Sequence, residues 1–194
     1  MLRDFLRLIL FFCLLCGSDS SHAGRKRVKL KEVVSDWLDE ATVVAPIDRE
    51  VCFSPEERCD LKLIRFAETA KKSIDIAAFD INLDQLVHSL LVLSKRGVRV
   101  RVLVDNRQAK GRYSLSGTLK KGGLQVRRGY QRGLMHHKFM IVDGIRLETG
   151  SFNYTNHASR ANQENQVYLD DPSIVARFVA RFQKSWSDSR EFED

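Results

Sequence analysis

Apolar positions along this chain change period repeatedly, and each change marks an element. Residues 30–40 carry the spacing of a short amphipathic helix. Glu50 to Phe53 reads as a strand that ends at Ser54-Pro55-Glu56-Glu57. This quartet has the form of a capping box with proline at the first helical position, so a helix is expected from 55 to about 72 with Leu61, Ile64 and Ala67 inward. Ser73 to Phe79 is the next strand. Asn82 and Gln85 suit the start of a helix over 83–96, with Leu83, Leu86, Val87, Leu90 and Leu93 on its apolar face and Gly97 as its stop. A strand over 98–104 alternates valine with arginine up to Asp105. A short helix near 114–121 is broken by Gly122-Gly123, and a strand follows at 124–128. Strands alternating with helices in this way predict an α/β domain.

The segment from His136 to Val142 reads as another strand. Asp143-Gly144 is a strong two-residue hairpin signal, returning the chain from Arg146 to Gly150. Side chains alternate faces along a strand, so His136 and Lys138 share a side, while His137 points the other way and is expected to be structural. Gly150-Ser151-Phe152-Asn153 sets a hydroxyl and an amide at the end of the neighbouring strand. Glu164, eleven residues after Asn153, opens a strand running to Leu169 and could hydrogen-bond an imidazole. Phe178, Val179, Phe182 and Trp186 are spaced for core packing on a last helix.

His136-x-Lys138-x₄-Asp143 followed by Gly150-Ser151-x-Asn153 resembles the HKD signature of the phospholipase D superfamily. The similarity runs from Glu50 to Asp188 and includes Cys52-Phe53-Ser54-Pro55 and Arg96-Gly97-Val98. It is to the small bacterial endonucleases that carry one such motif. The chain is also similar to the mitochondrial cardiolipin hydrolase/Zucchini group through Met135-His136-His137-Lys138-Phe139, without that group's cysteine-rich insertion after the first strand. The resemblance implies a mixed central β-sheet flanked by helices on both faces, working as a homodimer. It implies catalysis by His136, Lys138, Asp143 and Glu164, with Lys138, Ser151 and Asn153 on the substrate phosphate and no metal or other cofactor. Asp143 at the hairpin turn also suits a structural, charge-pairing role.

The residue types support that chemistry. A neutral imidazole can attack phosphorus and divide one displacement into two through a phosphohistidine. Lys138, Ser151 and Asn153 would offset charge on the non-bridging oxygens, and Glu164 would orient the ring. The leaving alkoxide still needs a proton from a second histidine. His88 on a helix, His137 on the wrong face and His157 without a paired lysine are poor substitutes, so His136 of a second copy is expected across a two-fold axis.

Composition and charge narrow the rest. Of 194 residues, 43% are hydrophobic and 29% charged, which suits one folded domain plus a short extra segment and excludes a disordered chain. The net charge of +7 favours polyanionic partners. Arg107, Lys110, Arg112, Arg127, Arg128 and Arg132, with Lys120 and Lys121, gather around Tyr130 ahead of His136 and are read as a nucleic-acid groove. A non-specific endonuclease on DNA or RNA is the leading expectation. A phospholipase D or cardiolipin hydrolase acting on phospholipid is the alternative, and a DNA-uptake factor that binds without turnover is the third reading.

The N-terminus carries Arg3 and Arg7 ahead of a nine-residue apolar run, Leu8 to Cys16, too short to cross a bilayer as a relaxed helix. Ser21 and Ala23 complete a signal peptide over 1–23, so export to a periplasm or medium is expected. The basic run Arg25 to Lys31 opposes translocation and keeps a short N-terminal membrane anchor as the alternative. A basic segment over 24–46 would then lead into a catalytic domain over 47–194. Cys52 and Cys59 are either one disulfide, as export would favour, or two buried free thiols. Their spacing is wrong for a zinc pair.

Overall fold

In the computed structural model, which describes residues 50–129 and 133–193, strand β1 (Val51–Ser54) leads to helix α1 (Cys59–Glu68). Strand β2 (Ser73–Ala78), helix α2 (Asp84–Lys95) and strand β3 (Arg99–Asp105) follow. A 3₁₀ turn at Gln108–Lys110 and helix α3 (Ser116–Lys121) precede β4 (Gln125–Gly129). Then come the hairpin β5 (Lys138–Val142) and β6 (Arg146–Gly150), helix α4 (Asn156–Arg160), β7 (Glu164–Leu169), helix α5 (Pro172–Ser187) and the short β8 (Arg190–Glu191). The signal peptide expected over 1–23, the basic segment, the helix expected over 30–40, Tyr130 and Arg132 lie outside the described residues. Among the described residues no helix is long and apolar enough to cross a membrane.

The strands form one mixed sheet in the order β1-β7-β6-β5-β2-β3-β4-β8. β2, β3 and β4 are parallel, joined through helices, and the remaining neighbours are antiparallel. Both faces of the sheet are covered, as expected. Ile76, Ala78, Val102, Val104, Met140 and Val142 point into a core shared with α1 and α2. The alternate positions Ala77, Leu103, Phe139, Ile141 and Leu147 meet Val175 and Phe182 of α5. Arg101 is also turned toward α5: its guanidinium makes two 2.7 Å bonds to buried Asp75 and lies 4.8 Å from the Phe182 ring centre. A charge can be buried here because both its hydrogen bonds and its partner are supplied.

Two expected helix caps differ in the structure. The chain at 55–57 turns, and α1 begins only at Cys59, after Arg58, with no side-chain cap. The Ser54 hydroxyl has no helix amide to accept from, because Ser54 still belongs to β1 and α1 starts only at Cys59; its proton turns across the molecule toward the carbonyls of Ala158 at 3.0 Å and Asn162 at 3.1 Å. Glu57 instead accepts from the Phe53 amide at 3.1 Å, and a disulfide joins Cys52 to Cys59, fastening β1 to α1. Those sulfurs, beside Glu57, are therefore spent on each other. Asn82 likewise does not cap α2: its side-chain oxygen accepts from the Asn156 amide at 3.1 Å, tying α2's approach to α4. Gly97, at φ +91, ends α2 as expected.

Candidate active site

His136 and His137 stand just ahead of β5, so the strand begins at Lys138. The loop they occupy is held from both sides. Buried Asp105, at the end of β3, accepts from the Met135 amide at 2.9 Å while its other oxygen accepts from the amides of Arg107 and Gln108. The Phe79 amide donates to the His137 carbonyl at 2.8 Å. Neither Asp105 nor Phe79 stands out in the sequence as a site residue. The only sign is an aspartate closing a strand before a turn, where such carboxylates bond the following amides.

The His136 side chain is exposed, and its ring rests on Phe79 with centres 4.4 Å apart. Lys138 is only 9% exposed, and its Nζ lies 3.2 Å from Nδ1 of His136 and 3.4 Å from Nε2. The same Nζ donates to the His136 carbonyl at 3.1 Å and sits over Phe79. The expected shared side for these two groups is therefore realised. Burial pushes the Lys138 ammonium below its ordinary pKa, with nearby Glu164 acting in the opposite sense.

β6 brings the second part of the signature alongside. Gly150 allows it: a Cβ there would stand 2.0 Å from the Asn165 carbonyl oxygen of β7. Ser151 donates to Glu164 and accepts from the Asn165 amide at 3.0 Å, and the other Glu164 oxygen accepts from Asn162 at 2.9 Å. Glu164 thus departs from the expected imidazole bond: within this chain its two oxygens are taken by Ser151 and Asn162, and the near neighbour of the His136 ring is Lys138. The Asn153 side-chain oxygen is buried with no hydrogen-bond partner. The next residue, Tyr154, is buried and donates to Glu148, whose carboxyl is pushed up to about 8 by burial, against the pull of that bond. Uncharged Glu148 and Tyr154 lie under the turn that carries Asn153.

Asp143 stands apart from the other residues expected to be catalytic and takes the bonds of the structural, charge-pairing role also expected for it. At about 3.3 Å per residue it lies roughly 16 Å from Lys138, at the opposite end of β5. Its carboxylate accepts from the amides of Lys71, Lys72 and Ser73 at 2.7 to 3.2 Å and faces Arg146. Burial raises its pKa, but those amides and Arg146 outweigh it and hold the carboxyl below its ordinary value. Asp143 and Gly144 both have positive φ, 55 and 72, making the two-residue turn that the pair predicts.

The basic set divides. Arg107, Lys110 and Arg112 are exposed around the 3₁₀ turn beside exposed Tyr113. Arg127 is instead a packing residue, 4.8 Å from the Trp186 ring centre and donating to the Trp186 carbonyl at 2.9 Å. Arg128 donates to the Glu191 carbonyl and to Asn106. β4's alternation sends these neighbours to opposite faces, so they do not act as one stripe. His137 turns toward α5, against Phe139, where a cleft of about 570 Å³ adjoins His136 and Lys138 and is walled by Ile174, Arg177 and Arg181.

The family model described as "Cardiolipin synthase, PLD-like domain" matches residues 63–186. The mitochondrial cardiolipin hydrolase of Xenopus tropicalis is 32% identical over 169 residues, which cover 84% of this chain and 80% of that protein. That of Chlamydomonas reinhardtii is 38% identical over 125 residues, covering 64% of this chain, so the chain spans 56% of that relative. The crystal structure of Nuc from Salmonella typhimurium, a phospholipase D family member, aligns with a TM-score of 0.71 at 30% identity, over 75% of this chain and 97% of that one. Motif, sheet order and these likenesses agree, and the chain belongs to the phospholipase D superfamily of phosphodiesterases, as a member with one HKD motif.

Proposed function

We propose that this phosphodiesterase is a metal-independent endonuclease that cuts DNA or RNA through a phosphohistidine on His136. The observation that carries the reading is the exposed imidazole stacked on Phe79 with the Lys138 ammonium 3.2 Å away. The ring is open to a phosphodiester, and the cation beside it offsets the charge that gathers on the phosphate oxygens as His136 attacks. Asn153 offers an amide from the neighbouring turn, while Ser151 and Glu164 form a bonded pair next to Lys138. A histidine from a second copy would protonate the leaving oxygen and then activate water, so the working form is a two-fold dimer. The exposed Arg107, Lys110 and Arg112 support a polyanionic substrate read through its backbone. The disulfide agrees with an exported protein.

A second reading, hydrolysis of cardiolipin, is favoured by the relatives that bear that name and by Ile174, exposed at 37% on the wall of the cleft. Incubation of purified protein with single-stranded DNA, duplex DNA, RNA and cardiolipin vesicles in EDTA separates the two. Nucleic-acid cleavage with a trapped phosphoprotein is the expected result. Turnover of cardiolipin alone, or a strict need for a divalent ion, would overturn the nuclease proposal.

A further inference from the structure

On the α5 wall of the His136 cleft two arginines stand outside the phosphate chemistry of His136 and Lys138. Arg177 and Arg181 are four residues apart on one helix face, displaced by about 6 Å along the axis. Both are exposed and line the cleft together with His136, His137 and Lys138. Neither has a carboxylate partner among the ion pairs of the described residues. Two uncompensated guanidinium groups beside a phosphate-reacting imidazole hold a field that an anion would relieve, and their planar forks match phosphate oxygens two at a time.

The surroundings of the pair refine the ligand. His137 has its pKa pushed down by desolvation and then by Arg181, Lys138 and His136, so at neutral pH it offers a neutral ring and adds no further charge. Between and beside the arginines stand Phe178 and Ile174, with Phe139 below, an apolar strip suited to a flat ring or a sugar. Alternating cation and apolar ring is the pattern of a surface that follows a strand. By contrast, Arg127 and Arg128 are bound to their own chain.

We propose that the α5 wall is a second phosphate subsite, in which Arg177 and Arg181 hold the phosphodiester adjacent to the scissile one on a nucleic-acid strand while Ile174 and Phe178 carry the nucleoside between. This rests on the nuclease reading and names the part of the strand that the site takes beyond the reacting phosphate. A substrate with a single phosphodiester has no second phosphate for the two arginines, so the subsite selects for chain over monomer. A lipid with two phosphates offers similar oxygens but no ring for the apolar strip.

The test compares the full chain with its Arg177→Gln/Arg181→Gln and Arg177→Lys/Arg181→Lys double variants. The probes are bis(p-nitrophenyl) phosphate, a short fluorescein-labelled single-stranded oligodeoxynucleotide and cardiolipin vesicles. Fluorescence anisotropy reads oligonucleotide affinity, and a thermal melt checks that each variant is folded. The Gln pair is expected to lose about tenfold in oligonucleotide affinity and in kcat/KM, mainly through KM, with the Lys pair recovering part of it. The loss on bis(p-nitrophenyl) phosphate should be smaller by about fivefold or more. Equal losses on both substrates, or an unchanged oligonucleotide affinity, overturn the subsite. So does a loss confined to cardiolipin vesicles, which would reassign the arginines to a lipid headgroup. If the unaltered chain turns over bis(p-nitrophenyl) phosphate but not DNA, the nuclease reading fails alone, and the anisotropy result still upholds or overturns the subsite.

Discussion

The two ends of β5 carry the outer members of one sequence motif and treat them in opposite ways. At the His136 end an imidazole is exposed, an ammonium is nearly buried with its pKa lowered, and the groups around them leave room for an anion. At the Asp143 end a carboxylate is saturated by three backbone amides and an arginine, and its charge is wholly used in joining β5 to the start of β2. A motif read as one unit thus divides into an open half and a fastening half. An exposed imidazole and an unpartnered Asn153 oxygen mark the former, and a carboxylate filled by backbone amides marks the latter.

Substitutions can break or sharpen this contrast. His136→Ala should lower turnover by about a thousandfold or more with the melting temperature nearly unchanged, measured on an oligonucleotide alongside a thermal scan. Retained turnover would remove the nucleophile. Lys138→Met should cost about a hundredfold in kcat, because the charge facing the phosphate is lost while the buried stem is replaced by one of similar length. Asp143→Asn should act the other way round: a loss of about 2 kcal/mol in urea unfolding, with turnover per folded molecule kept within about threefold. A fall in kcat as large as that of Lys138→Met would rejoin the two halves.

A pH-dependent effect concerns the floor of the His136 end. Glu148 titrates near 8 in the native chain against an ordinary value of 4.5. Between those values the native state holds a proton that the unfolded chain has released. Stability therefore falls as pH rises through that window, by at most about 1.4 kcal/mol per pH unit, and levels off above it. Glu148→Gln should flatten this slope in urea midpoints taken across the window. An undiminished slope would place its origin elsewhere.

Strand parity and turn chemistry made the α/β plan, the β5–β6 hairpin and the shared side of His136 and Lys138 legible in the sequence. What escaped were bonds between residues far apart along the chain. Ser54 looked like a helix cap because its local string fits one, yet its hydroxyl is taken by carbonyls more than a hundred positions away. Arg127 looked like a groove residue, but Trp186, 59 positions on, holds it. Asp105 and Phe79 brace the loop that carries His136 through contacts that no periodicity encodes. The Cys52–Cys59 bond was one of two readings left open by spacing, and the structure contains it.

Gly150 sets a limit on remodelling the site. Because the β7 backbone lies so close to it, any larger residue there must push the two strands apart, and Ser151 and Asn153 would travel with the displaced chain. Attempts to retarget the enzyme should therefore vary the rim and leave this seam as it is, since even alanine at this point would move the far wall before it altered the substrate.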